Sequence, residues 1–205
     1  MNLIALSLIT SFPLVDVSTY DPRLTFDIRY ATTANFTGIK LYPIARCLLR
    51  PEVAAMLKKA EDTLVAADFG LLLKDCYRPI SVQRRMWEVV QGTPQEPYVT
   101  NPNSKYGSVH NYGAAVDVTL QKSGKEVDMG TPYDHLGKLA EPRHEADFLR
   151  TNQLTQSQVD NRKILRAAML AAGFKSIQNE WWHFDALRGE ALRKTYAPLD
   201  IALGP

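Results

Sequence analysis

Two stretches carry residues whose types and spacing can do chemistry. The first runs Gly107-Ser108-Val109-His110-Asn111-Tyr112-Gly113-Ala114-Ala115-Val116-Asp117-Val118, and the second, far downstream, runs Glu180-Trp181-Trp182-His183-Phe184. Together they offer two histidines and an aspartate as metal ligands, with one glutamate left over. Two imidazoles and a carboxylate suit zinc, and three protein ligands leave a fourth position for water, the mark of a catalytic site. Zinc hydrolysis of an amide also needs a group that takes the proton of the attacking water and hands it to the leaving amine. The spare glutamate fits that need. The helical zinc motif H-E-x-x-H is absent.

Each residue alone has a plainer reading. His110 reads as a loop or core histidine, His183 as a member of an aromatic cluster, Glu180 as an exposed strand residue, and Arg78 before Pro79 as a turn cap or salt bridge. Asp117 is harder to dismiss. It interrupts the apolar run Ala115-Val116-Asp117-Val118, where a buried carboxylate is costly unless cations or a metal satisfy it. The set therefore points further than its members. Glu180 and His183 are three apart, so a regular strand would aim them at opposite faces. Both reach one metal only if the strand bulges or ends near Trp181-Trp182.

The elements that must position these residues follow from hydrophobic spacing. Leu14–Val17 and Leu24–Tyr30 alternate and read as strands, and Asn35–Pro43 reads as a loop. Pro51 opens a helix on Val53, Met56, Leu57, Ala60 and Leu64, with Gly70 as its stop. Leu71-Leu72-Leu73 is a buried strand ending at Lys74-Asp75-Cys76. Tyr77-Arg78-Pro79 turns the chain into a helix with Val82, Met86, Val89 and Val90 on one side. Gln91–Gly107 is a long exposed loop, a rim or lid. Ala115–Leu120 is a strand with a hairpin turn at Ser123-Gly124, and Met129–Glu145 is irregular. Thr155–Ala172 is the clearest helix, closed by Gly173; Ile177–Phe184 reads as a strand, and a short helix precedes Pro198. No βαβα rhythm or glycine-rich phosphate loop appears. The expectation is one α+β domain built on a mostly antiparallel sheet flanked by helices.

Composition narrows the classes. The 205 residues, 45% hydrophobic, suit one compact domain. A net charge of +2 without a basic block gives nucleic acid no footing, and no run approaches a membrane span. Leu3–Phe12 is apolar and long enough for a signal h-region, but no Lys or Arg precedes it and no cleavage motif follows, so a first strand reads equally well. Cys47 and Cys76 fit no CxxC pattern; they are free thiols in a reducing compartment or one bridge in an oxidising one.

The constellation S-x-H-x-x-G-x-A-x-D with a later E-x-x-H resembles the M15 zinc peptidases, which include D-alanyl-D-alanine dipeptidases and carboxypeptidases acting on peptidoglycan precursors. Arg29-Tyr30-Ala31-Thr32 with Asn35-Phe36-Thr37-Gly38, Asp75-Cys76-Tyr77-Arg78-Pro79 and Glu180-Trp181-Trp182-His183 point to the vancomycin-resistance-type dipeptidase branch. The likeness runs from about Val15 to about Leu187. It implies a Hedgehog/DD-peptidase-type fold over residues 14–205, with 1–13 a leading segment that is a candidate remnant of an export signal. It implies one zinc held by His110, Asp117 and His183, Glu180 as base and then acid, and Arg78 stabilising the oxyanion. It sets Ser108 near the substrate carboxylate, and Asp134 and Tyr30 near its ammonium. Trp181 and Trp182 would pack around the metal and fix His183, while His135 and His144 stay outside the site. The implied substrate is the free D-Ala-D-Ala dipeptide. A D,D-carboxypeptidase, a peptidoglycan endopeptidase, or a non-catalytic zinc-containing wall-binding module are the alternatives. The cysteine pair departs from the vancomycin-resistance pattern. It points to an exported, periplasmic-type relative in which a bridge stiffens the strand carrying Arg78; the alternative is a cytoplasmic protein.

Overall fold

The structure, a computed structural model, describes residues 13–204. The apolar stretch Leu3–Phe12 lies outside the described residues. Its strands are β1 (Val15–Asp16), β2 (Thr25–Phe26), β3 (Leu48–Leu49), β4 (Gly70–Asp75), β5 (Ala115–Lys122), β6 (Lys125–Glu126), β7 (Lys175–Ser176) and β8 (His183–Asp185). The helices are α1 (Pro51–Val65), α2 (Ile80–Val90), α3 (Glu145–Arg150), α4 (Gln156–Ala171) and α5 (Gly189–Thr195). The main sheet runs β2-β4-β5-β8-β7, with β6 hairpinned onto β5; every pair is antiparallel except β2 with β4. β1 and β3 form a separate antiparallel pair. The described part is thus a mixed α and β domain with a mostly antiparallel sheet.

β5 is the spine of the sheet and is buried from Ala115 to Leu120. Alternation puts Val116, Val118 and Leu120 on one face and Asp117 on the other. Helices α1 and α4 pack on each other and against β4, β5 and β7. α1 begins with Pro51 in its first turn, where a missing N–H is harmless, and buries Val53, Leu57, Ala60 and Leu64. α4 starts in a capping box, Thr155 with Gln158, that satisfies two backbone N–H groups.

Four sequence expectations are corrected. The strand expected over Leu24–Tyr30 is only Thr25–Phe26. Tyr30 sits in a 3₁₀ turn, Arg29–Ala31, because its carbonyl accepts the N–H groups of Leu41 and Tyr42 (2.9 and 2.8 Å) and its ring turns inward. Gly70 does not stop α1. Asp68 reverses the chain at φ +59, a conformation a short carboxylate side chain tolerates, and Gly70 already opens β4. Val89 is exposed, and Gln83 takes the buried place on α2. The strand expected over Ile177–Phe184 starts only at His183; residues 177–182 are irregular. That break removes the parity conflict between Glu180 and His183, since only His183 lies in the strand.

Gly113 closes the 3₁₀ turn Val109–Tyr112 at φ +68, and a β-carbon there would meet Leu14 Cδ2 at 2.4 Å. Both the turn and the close packing demand glycine. Cys47 and Cys76 are bridged, with Cα atoms 5.1 Å apart. The bond staples the end of β4 to the chain entering β3, where Tyr77 N–H also donates to Leu48 O (3.0 Å). A crosslink 29 residues apart restricts the unfolded chain. Replacing both cysteines by alanine is therefore expected to cost about 3–4 kcal/mol of stability. The check is urea unfolding without reductant; midpoints matching those of the parent protein would remove the bridge from the stability.

Candidate active site

The register of the sheet builds the centre. Asp117 on β5 pairs directly with His183 on β8 and, on its other side, with Asp75 at the irregular end of β4. Directly opposed residues share a face, so the Asp117 and His183 side chains meet without any special loop. The third member, His110, arrives on the 3₁₀ turn that ends at Gly113, just before β5. The ligand-type atoms of His110, Asp117 and His183 all lie within 4.8 Å of one another. His110 Nε2 is 3.2 Å from Asp117 Oδ1, His183 Nδ1 is 3.0 Å from the same oxygen, and the two imidazole nitrogens are 3.1 Å apart. Metal–ligand bonds of about 2.0–2.1 Å in a tetrahedron put ligand atoms roughly 3.3 Å apart.

The outer sides of both rings fix which nitrogens face inward. His110 Nδ1 is 2.6 Å from the carbonyl oxygen of Cys76, which can only accept, so Nδ1 carries the proton. His183 Nε2 is 2.7 Å from the Asp185 carboxylate, which Arg188 in turn grips. In their neutral forms both rings therefore aim bare lone pairs at each other and at Asp117. Such a triangle repels itself unless a proton or a metal cation stands among its members. The surroundings point the same way. The carboxyls of Asp75, Asp117, Asp134, Glu180 and Asp185 crowd the site against the guanidiniums of Arg78 and Arg188. Burial works against the His183 imidazolium, but the Asp185 and Asp117 carboxylates raise its pKa well above the usual value. Burial likewise works against ionised Asp117, and His110 and His183 hold its pKa far below the usual carboxylate range. The donor set thus fits a divalent ion of the zinc type.

Tyr30, Arg78, Ser108, His110, Asp117, Asp134, Glu180 and His183, all singled out from sequence, line one cavity of about 230 Å³. Arg78 is buried there with three of its five N–H groups engaged. Nε and Nη2 donate to Asp75 Oδ2 (2.9 and 2.6 Å), and Nη1 donates to Gln83 Oε1 (2.8 Å). Its Nη2 stands 3.7 Å from Asp117 Oδ2, and its plane lies 5.3 Å from the Tyr30 ring. Glu180 comes from the irregular stretch before β8; burial pushes its carboxyl up to about 8, against the pull of His183. Asp134 sits at φ +64, with Oδ1 accepting from Tyr30 Oη (2.8 Å) and Oδ2 buried without a partner. Burial pushes this carboxyl up to about 7. Ser108 is buried at the start of the 3₁₀ turn, its N–H donating to Asn111 Oδ1 (3.1 Å).

The M15 peptidase family, described as D-Ala-D-Ala dipeptidase, matches residues 10–200. The chain belongs to this family of peptidases. It is 33% identical over 173 residues to a D-alanyl-D-alanine dipeptidase of Escherichia coli K12, covering 84% of this chain and 83% of that protein. It is 30% identical over 191 residues to one from Enterococcus faecium, covering 83% of this chain and 89% of that one. A Streptomyces coelicolor dipeptidase is 29% identical over 200 residues, with 87% and 93% covered.

Several residues that brace the cavity's side chains escaped the sequence reading. Asp185, which orients His183, lies two residues further along the same strand, and period-two alternation was signal enough to find it. Tyr133, whose hydroxyl donates to Asp117 Oδ2 (2.9 Å), and Gln83, which holds Arg78, carried no sequence signal of their own; Asp75, the other partner of Arg78, stood in the Asp75–Pro79 motif without a role assigned to it. The tryptophans do less than expected for His183. Trp182 packs on Tyr133 at 5.4 Å and Trp181 bonds Thr131 (2.8 Å), while Asp185 orients the imidazole. His144 pairs with Glu141 (3.2 Å), and neither it nor His135 lines the cavity. The rim loop is less exposed than expected: Val99 is buried, and Tyr98 Oη donates to Glu141 Oε1 (2.7 Å) across to the segment after β6. Among the described residues no helix is long and apolar enough to cross a membrane.

An orienting carboxylate on a ligand histidine typically controls metal affinity by about 10–100-fold. Asp185→Asn is expected to weaken zinc binding by that order while the fold survives. Competition against a chelating dye measures it; an unchanged dissociation constant would deny Asp185 the role.

Proposed function

We propose that the protein is a zinc-dependent D-Ala-D-Ala dipeptidase, with zinc held by His110, Asp117 and His183. The observation that carries this reading is the convergence of the His110, Asp117 and His183 ligand atoms within 4.8 Å of one another, beside Glu180 and Arg78. The shared name of the relatives from three organisms supports the substrate. So does the cavity, which at about 230 Å³ falls below the ~300–1,000 Å³ common for drug-sized ligands.

When bound, zinc supplies the Lewis acidity that makes water a nucleophile at neutral pH. The remaining work falls to the chain. Glu180, which lines the cavity beside the three ligand residues, takes the proton of the attacking water and returns it to the leaving D-Ala amine. Arg78, immobilised by Asp75 and Gln83, presents a fixed positive charge to the oxyanion that develops on the scissile carbonyl, worth roughly 3–4 kcal/mol by comparison with other such donors. Because its fork is already held, little reorganisation accompanies the reaction. Asp134, with Tyr30, receives the substrate ammonium, and Ser108 lies on the side of its carboxylate.

The main rival inside the family is a D,D-carboxypeptidase or endopeptidase acting on longer, acylated chains. The buried, unpartnered Oδ2 of Asp134 favours a free ammonium, because an acylated nitrogen brings no charge to that oxygen. A wall-binding module would have no use for a glutamate and a braced arginine in the same cavity. The Cys47–Cys76 bridge supports an exported protein, since such bonds persist in oxidising compartments. We assign the fold to the Hedgehog/DD-peptidase type on the same family grounds.

The test couples zinc analysis to detection of D-Ala released from the free dipeptide. Chelation should abolish release and added zinc restore it. Glu180→Gln should keep zinc but lose about 10²–10⁴ in turnover; near-normal turnover would remove Glu180 from proton transfer. For Arg78→Lys, kcat should fall by on the order of 10²-fold with zinc content intact. Equal kcat would sink its oxyanion role. Asp134 binds ammonium only when ionised, so KM should rise as pH falls through the neutral range. Asp134→Asn should raise KM and flatten that dependence; a profile identical to that of the parent enzyme would dismiss the assignment.

A further inference from the structure

Arg162 projects from the middle of α4, and its side chain has no solvent exposure. A buried guanidinium normally pairs with a carboxylate. This one does not. Glu145 Oε1 stands 3.8 Å from Nη1, while both Glu145 oxygens bond Arg166 (3.3 and 2.7 Å). Nη1 has no hydrogen-bond partner. The fork is used on backbone instead: Nε donates to Met129 O (2.7 Å) and Nη2 to Leu139 O (3.1 Å).

Those two carbonyls bracket the irregular segment 129–139. Between them lie Thr131, Tyr133 and Asp134. The Arg162 plane also lies 5.8 Å from the Trp181 ring, and the Trp181 indole N–H donates to Thr131 Oγ1 (2.8 Å). One rigid fork therefore holds both ends of the loop, and the ring beside it holds a point between them. The loop needs such holding. Asp134 stays at φ +64 with one carboxylate oxygen buried and unpartnered in the cavity. An unconstrained loop would relax that oxygen toward water.

We propose that Arg162 is a positioning residue for substrate selection: it fixes the 129–139 loop so that Asp134 presents its free oxygen to the substrate ammonium. This rests on the dipeptide reading above. Arginine is the residue for the task because a planar fork serves two carbonyls at once. Lysine offers a single point of donation, and an apolar side chain leaves both acceptors buried and unpaired. The same helix reaches the start of this loop by exposed bonds too, Asn161 Nδ2 to Asp128 O and Gln158 Nε2 to Asp128 Oδ2 (2.8 Å each). They supply a control for mere tethering.

The experiment compares kcat/KM for D-Ala-D-Ala with that for D-lactoyl-D-alanine, in which a hydroxyl replaces the ammonium, on the zinc-loaded enzyme. The parent protein should prefer the charged substrate strongly. Arg162→Met should lower that preference about tenfold, equivalent to ~1.4 kcal/mol, through a higher KM for the dipeptide, with zinc content retained. Arg162→Lys should fall between, and Asn161→Ala should leave the ratio unchanged. A purely structural role would reduce both substrates equally and keep the ratio; that outcome overturns the proposal, as does a ratio unchanged in Arg162→Lys should Arg162→Met not fold. If the parent enzyme hydrolyses the dipeptide but shows no preference for the ammonium, the Asp134 assignment fails, and this inference with it, while the zinc chemistry stands. An inactive parent enzyme would instead strike the dipeptidase reading itself.

Discussion

The site depends on one electrostatic constraint: Asp117 is buried in the central strand with two imidazole nitrogens turned toward one of its oxygens. Burial of that carboxylate is costly, and the Tyr133 hydroxyl and the nearby Arg78 guanidinium on its other oxygen offset only part of the cost. The register that pairs Asp117 with His183 brings the arrangement about, and the outward hydrogen bonds of the two rings make it permanent. The two histidines are oriented by unlike means. His183 leans on a side chain, Asp185, whereas His110 leans on the main-chain carbonyl of Cys76. A carbonyl cannot rotate away, so the orientation of His110 is only as firm as the end of β4.

That strand end is the most heavily braced point near the cavity. Cys76 is bonded to Cys47, Tyr77 N–H is held by Leu48, and Arg78 N–H donates to His110 O (3.1 Å). Asp75, immediately before, accepts from Tyr42 and from Arg78. A histidine and an arginine that approach the site from different elements are thus referred to one short stretch of backbone. Any loosening there moves both together, so the disulfide stabilises the geometry of the site as well as the fold.

Much of this was legible beforehand. The buried aspartate in an apolar run, the histidine before it and the downstream E-x-x-H are local patterns, and local patterns survive folding. α1, α2, α4, α5 and the β5–β6 hairpin were readable for the same reason: their periodicity, caps and turn residues are written within a few positions. The errors arose where tertiary bonds overrode local preference. Tyr30 alternates like a strand residue, yet Leu41 and Tyr42 claim its carbonyl. Trp181 and Trp182 have strand propensity, yet the chain becomes regular only at His183. The clamps on Arg78, and Tyr133 on Asp117, join residues whose partnership no spacing rule announces.

The cavity is small because several separate ties close its edges. Gln83 binds Arg78 with its amide oxygen and Thr100 O with its amide nitrogen (2.7 Å), joining the Arg78 side of the cavity to the rim loop. Tyr98 joins that same loop to Glu141, whose other oxygen is held by Arg143. Burial and the Glu141 contact push the Tyr98 hydroxyl up to about 12, so it remains a donor throughout the neutral range. Opening this edge to a longer chain would break the Tyr98–Glu141 bond and expose a carboxylate that is 2% accessible. The loop regions also contain few glycines with free space around them at the cavity itself; Gly107 is the one that lines it. Restriction to short substrates, on the proposed reading, is therefore a property of side-chain ties between loops rather than of the sheet. The sheet fixes where the chemistry happens, and the loops fix what is short enough to reach it.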